Sequence, residues 1–177
     1  DGKFMVTAGF DGARTHTTLW DLDAMQSISQ NSEAGDGGVA FTSDGKQLIF
    51  ASDTFKSFAI YDAKNMKRLL GSKTCQSSNV VVSPNNKIFV LICNAKDKFF
   101  EVWDLTSGGQ TLTLFHGSTV ADVAFSPDSA LIVSAGVEDK IAKLWDAHTG
   151  NTLRTFEGHS SAIGRVAFSA DGKTLTT

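Results

Sequence analysis

The 177-residue chain carries 19 acidic and 16 basic residues, for a net charge of −3, with 41% hydrophobic and 20% charged residues. That is the balance of an ordinary globular protein, and no apolar run approaches the ~18 residues of a membrane span. Lysine and arginine are scattered rather than striped, which argues against a nucleic-acid surface, and the spacing of Cys75 and Cys93 fits no metal motif.

In chain order, the first periodic signal is an aromatic-Asp pair: Trp20-Asp21, Tyr61-Asp62, Trp103-Asp104 and Trp145-Asp146, in steps of 41, 42 and 42 residues. A second signal runs in phase with it. Val39-Ala40-Phe41, Val80-Val81-Val82, Val123-Ala124-Phe125 and Val166-Ala167-Phe168 each precede a turn rich in Ser, Pro, Asp, Asn and Gly, residue types that favour hairpin turns. Short β-branched and aromatic runs between such turns predict strands, for example near 120–125, 130–135, 140–145 and 152–156. Sustained helical periodicity is absent. A fixed period of this length marks one supersecondary unit stacked repeatedly.

On these repeats the sequence resembles the WD-repeat family of β-propellers over essentially its whole length, most closely from His116 to Trp145-Asp146 and then Gly158-His159. The resemblance implies an all-β propeller of four blade-equivalents, each with four antiparallel strands, a to d outward from a central channel. The repeats run approximately 1–36, 37–77, 78–119 and 120–162, with 163–177 starting a further repeat or closing the ring onto the sheet at the start of the chain. WD-repeat propellers commonly have seven blades, so a part of a larger propeller is expected. A half that pairs into eight blades and a closed four-blade ring remain open.

His116, Ser134 and Asp139 resemble the parts of a hydrolase triad. In the WD-repeat family these residue types, with the c-strand tryptophan, form a buried structural network, and the resemblance assigns that role to His116, Ser134, Asp139 and Trp145. By position, Asp97, Trp103 and His159 belong to equivalent networks. No Gly-x-Ser-x-Gly elbow accompanies the serine, and a buried polar network persists only where its members satisfy one another. The Asp that follows each aromatic is expected to satisfy backbone donors in the adjoining turn. Cys93, at the end of an apolar strand, reads as a free thiol acting as a small hydrophobe, in keeping with a cytoplasmic location.

Candidate binding residues lie where the repeats depart from the family pattern. The b–c connections of the first two repeats are long, carrying Phe10 and Arg14 in one and Phe55 and Lys56 in the other. An aromatic beside a cation suits a binding hot spot. The alternative is that Phe10 or Phe55 tucks under its own loop. Lys96 and Glu138 precede the turn Asp of repeats three and four, a position that points across the family's binding face. The expected function is a non-enzymatic scaffold presenting its d–a and b–c loops to proteins or peptides, with no cofactor, nucleic acid or membrane involved and self-association possible through open blade edges. The rival readings are a channel-centred enzyme or small-ligand sensor, and the self-assembling half-propeller. The strand a entrances offer only Asp122 and Arg165 as charged groups.

Overall fold

A computed structural model describes residues 3–10, 15–31, 38–93 and 98–177, and they are arranged in antiparallel sheets with no helix among them. The first sheet has three strands, β1 (Phe4–Phe10), β2 (Thr15–Asp21) and β3 (Gln26–Asn31). The second holds β4 (Val39–Phe41), β5 (Gln47–Ser52), β6 (Ser57–Asp62) and β7 (Arg68–Lys73). The third is β8 (Ser77–Val82), β9 (Ile88–Cys93), β10 (Phe99–Asp104) and β11 (Gln110–Phe115). The fourth is β12 (Val120–Phe125), β13 (Leu131–Gly136), β14 (Ala142–Asp146) and β15 (Thr152–Phe156). A final pair, β16 (Ala167–Phe168) and β17 (Leu175–Thr176), forms its own two-stranded sheet. Each full sheet is a meander in sequence order, the blade topology. The chain forms two compact units, Asp1–Val80 and Val81–Thr177.

Three local devices repeat from blade to blade and explain the sequence markers. In the a–b turns a Ser or Thr hydroxyl donates to an Asp or Asn two residues on: Thr42 to Asp44, Ser83 to Asn85, Ser126 to Asp128 and Ser169 to Asp171, at 2.6–2.8 Å. The same hydroxyl oxygens accept the amides of Gln47, Ile88, Leu131 and Thr174 at the start of strand b. In the c–d turns the Asp after the aromatic accepts backbone amides: Asp62 from Lys64 and Asn65, Asp104 from Thr106 and Ser107, Asp146 from His148 and Thr149. The third device is a β-bulge in strand d beside the aromatic, which adds one residue: Ile28, Leu69, Thr111 and Leu153. Bulges increase local twist and blunt an open sheet edge; strand d is the outermost strand of every blade.

Hydrogen bonding to the turn carboxylates sets an acid limit on the fold. The Thr42, Ser126 and Ser169 hydroxyls hold Asp44, Asp128 and Asp171 below the ordinary value of 3.8, and the Ser107 and Thr149 amides do the same for Asp104 and Asp146. A depressed carboxylate value stabilises the fold above the unfolded value, and that contribution disappears as pH falls through the folded one. The urea midpoint is therefore expected to be flat across neutral pH and to fall steeply below about pH 4. A midpoint as high at pH 3 as at pH 7 would contradict the turn assignment.

Packing between sheets is apolar. In the first unit Leu19 meets Leu48, Phe50, Tyr61 and Ala63, with Phe4 and Val6 against them. In the second, Val90, Ile92, Phe100 and Val102 meet Ile132, Trp145 and Ala147, and Phe100 and Trp145 pack edge to face with centroids 5.8 Å apart. Inner strands approach closely: a Cβ on Gly38 would lie 2.6 Å from Asn79 Cα and Val80 N, so only glycine fits there. Among the described residues one buried hydroxyl, that of Thr17, has no hydrogen-bond partner. Thr17 occupies the strand c position held by Phe58, Phe100 and Ala142 in the other blades, all buried. An unsatisfied buried polar group costs about 1–3 kcal/mol, so Thr17→Val is expected to raise stability by about 1 kcal/mol, read as an upward shift of the urea midpoint.

Candidate functional site

The fourth blade brings His116, Ser134, Asp139 and Trp145 together. Ser134, fully buried in β13, has its Oγ 2.8 Å from both His116 Nδ1 and Trp145 Nε1. The indole donates to the serine oxygen, so the serine proton is directed at His116 Nδ1. That leaves the imidazole proton on Nε2, facing Asp139 Oδ2 at 3.4 Å, outside good hydrogen-bond geometry. Burial pushes His116 below its ordinary value of 6.5, against the opposing pull of Asp139, so the ring is neutral at pH 7. The unfolded histidine binds a proton below pH 6.5 that the folded one resists, so this group costs stability as the solution is acidified from that point. His116→Gln is expected to remove the part of the pH dependence that sets in as pH falls below about 6.5, measured by urea denaturation. No member of the set is placed to attack a substrate: serine and histidine are both buried and spent on each other.

Strand register shows how the other blades fill the Ser134 position, two residues along strand b from the partner of the aromatic. In the first blade it is Thr7, whose hydroxyl accepts from Trp20 Nε1 at 2.9 Å. In the second it is Phe50, which packs edge to face on Tyr61 at 5.3 Å. In the third it is Leu91, and Trp103 Nε1 turns instead to the buried Glu101 carboxylate at 3.0 Å. His159, exposed rather than buried, meets the Thr177 hydroxyl at 2.6 Å. The spacing of 18 residues matches that from His116 to Ser134, a signal present in the sequence and missed there. Thr7, Glu101 and Thr177 are thus the residues that reading by motif alone did not find.

The binding candidates separate. Phe55 is 58% exposed at the tip of the β5–β6 hairpin, so it does not tuck under its loop. The hairpin is braced: Phe55 N donates to Ser52 Oγ at 3.0 Å, Lys73 Nζ reaches Phe55 O, and Thr74 N bonds Lys56 O. Lys56 beside it is exposed, with a left-handed φ of 47°. Glu138 is also exposed, yet its carboxylate is turned onto the d–a loop, where the hydroxyls of Ser118 and Thr119 and the Thr119 amide donate to it at 2.5–2.7 Å. Those bonds lower Glu138 from its ordinary 4.5 to about 2. Ser118 Oγ in return accepts the Glu138 amide. This reciprocal clasp joins the b–c and d–a loops of the blade. Phe10 ends β1, but its side chain, like Arg14, Lys96 and Asp97, lies outside the described residues. Asp122 Oδ2 accepts the Val166 amide at 3.0 Å, tying successive inner strands together.

Cys93 is not a free thiol. Both cysteines are disulfide-bonded, so the expectation of an unreactive thiol acting as a small hydrophobe is corrected. A free-thiol reading took account only of the apolar run before Cys93, and a disulfide depends on what the fold brings to the sulfur. No helix among the described residues is long and apolar enough to cross a membrane.

Comparison with known proteins gives a consistent picture. The family described as "WD domain, G-beta repeat" matches residues 108–146 and 150–177. Autophagy-related protein 16 of Arabidopsis thaliana is 31% identical over 98% of this chain and 34% of its own length. The serine-threonine kinase receptor-associated protein of Gallus gallus is 24% identical over 98% of this chain and 48% of its own length. Among solved structures, a chain of Kuenenia stuttgartiensis hydrazine synthase superposes with a TM-score of 0.77, at 17% identity, over 96% of this chain and 53% of that one. At that identity the likeness concerns the fold alone. The chain spans a third to a half of the length of these curated relatives.

Proposed function

Since this chain belongs to the WD-repeat family, we propose that it is a non-catalytic scaffold that presents its b–c and d–a loops to protein or peptide partners. The observation that carries the reading is Phe55, a large apolar side chain exposed on a hairpin held by Ser52 and by Lys73. An aromatic on a preorganised loop loses little conformational entropy on binding, and Lys56 beside it supplies charge at the rim. Phe10, Arg14 and Lys96 belong to the same proposal by their positions in the b–c connections. Glu138 enters it in a changed role: its carboxylate stiffens the loop face of its blade by clasping Ser118 and Thr119.

Other features agree with this reading. The Ser134 hydroxyl, the Trp145 indole and Nδ1 of His116 are committed to internal bonds in the buried interior of the fourth blade, which leaves the loops as the chemically available surface. The Gallus gallus relative is named for association with a receptor, which fits a protein partner. The test is selection of peptides from a displayed library on the whole chain, followed by titration of the best binders. Phe55→Ala is expected to weaken such a peptide by roughly thirtyfold or more, the effect of a hot-spot residue. Peptides that bind Phe55→Ala and the wild type equally would place the site elsewhere.

A further inference from the structure

We propose that the segment taken by the Phe55 hairpin is an acidic peptide, which sets an aspartate or glutamate on Lys56 and Lys73 and an apolar side chain on the Phe55 ring. The proposal rests on the assignment of that hairpin as a binding element and names the chemistry of its partner.

Its basis is a basic residue held in register with the repeat. Arg14, Lys56, Lys98 and Lys140 follow one another in steps of 42 residues. Along the chain they are scattered, but each stands at the end of a b–c turn, just before strand c of its own blade. Arg14 lies outside the described residues. Lys56, Lys98 and Lys140 are exposed and have left-handed φ values of 47°, 55° and 59°. Such a backbone favours glycine or asparagine, because a Cβ crowds the following carbonyl. Other turns of the repeat use glycine for it, at Gly45 and Gly172 between strands a and b and at Gly108 and Gly150 between c and d. Turn geometry alone therefore does not select lysine. Internal ion pairing does not select it either: among the described residues no carboxylate lies within salt-bridge distance of Lys56, Lys98 or Lys140. Lys140 Nζ donates to the Ser160 carbonyl at 2.8 Å, and an ammonium keeps two further donors after one bond.

The second blade gathers most of this chemistry in one place. Its d–a segment runs against the hairpin, with Thr74 N bonded to Lys56 O and Lys73 Nζ donating to Phe55 O at 3.4 Å. Two exposed lysines thus stand beside the exposed Phe55. Strand d of this blade, Arg68–Lys73, contains no acid, and Asp53, the one acid of the turn, is half-buried. A carboxylate next to an apolar side chain complements this arrangement, and charge complementarity of that kind sets register and specificity. A nucleic acid suits it less well, because a phosphate backbone is bound by many cations along a track, and the chain as a whole carries a net charge of −3.

The experiment starts from peptides selected on the whole chain from a displayed library. The best binders are then resynthesised with every Asp and Glu replaced by Asn and Gln. Selected sequences should place acids within a few residues of a large apolar residue, and the amide versions should bind roughly tenfold more weakly. Lys56→Asn keeps a residue that tolerates left-handed backbone. It should weaken the acidic peptides about threefold, leave the amide versions unchanged, and lose its effect in about 1 M salt. Lys64→Asn, at an exposed position of the c–d turn, should change neither. Neutral or basic selected sequences, amide versions that bind as well as the acidic ones, or a Lys56→Asn effect equal on both would each overturn the proposal. A mixed-sequence RNA that binds more tightly than the peptides and is lost in Lys56→Asn would overturn it in favour of a nucleic-acid ligand. Phe55→Ala separates the two conclusions: peptides sensitive to Phe55 but not to charge defeat the acidic partner alone, whereas peptides indifferent to Phe55 defeat the binding element itself.

Discussion

Trp145→Ala is expected to lower the stability of the second unit by about 3–5 kcal/mol, the range for deleting a buried aromatic. Trp145 is buried against Phe100, Val102 and Ile132, and it meets Phe100 edge to face. Removing it leaves a cavity that strands on both sides cannot collapse to fill, because their registers are held by backbone ladders. It also deprives Ser134 Oγ of its indole donor. Two comparisons sharpen the expectation. Trp145→Phe keeps most of the packing and loses the donor, so it should cost about 1 kcal/mol for the bond plus a smaller cavity term. Trp20→Ala should cost less than Trp145→Ala, because Trp20 is only half-buried. Urea denaturation followed by near-ultraviolet circular dichroism checks all three. A Trp145→Ala variant within about 1 kcal/mol of the wild type would contradict the packing described.

Gly136→Ala is expected to be the most damaging single-methyl addition in the fourth blade. A Cβ at this position would overlap the Asp139 carboxylate and lie 2.5 Å from His116 Nε2. The backbone cannot yield cheaply, since Gly136 N donates to Ile141 O at 2.8 Å within the b–c turn. Overpacking of this kind costs about 1–3 kcal/mol. If Asp139 swings away to make room, the buried His116 Nε2 loses the carboxylate 3.4 Å away, whose attraction offsets part of the burial of the ring. A double-mutant cycle with Asp139→Ala isolates the cause. The added methyl should cost clearly less where the carboxylate is already gone. An unchanged cost in that background would show that the strain falls on the backbone rather than on the polar network.

The loop clasp and the network together describe how this blade holds its b–c turn. His116 and Asp139 meet beneath it, and Glu138 fastens its rim to Ser118 and Thr119. Both arrangements need consecutive acidic residues, Glu138 and Asp139, pointing in different directions. In the second blade the same turn is held by Ser52 Oγ, and the side chain left exposed is that of Phe55. Variation in these turns is where a repeating scaffold acquires an individual surface.

The part of the fold written in short-range bonds can be read from the residues alone. The 41- and 42-residue steps, the Ser/Thr-x-Asp turns and the Asp after each aromatic are legible because their partners lie two to five residues away. The grouping of His116, Ser134, Asp139 and Trp145 was legible through family resemblance rather than through spacing alone. Long-range packing selects which side chain serves the aromatic in each blade: Thr7, Phe50, Glu101 or Ser134. It also decides that Phe55 stands out and that Glu138 folds back. These outcomes depend on strand register and on the neighbouring sheet, which set what surrounds a side chain independently of its own residue type.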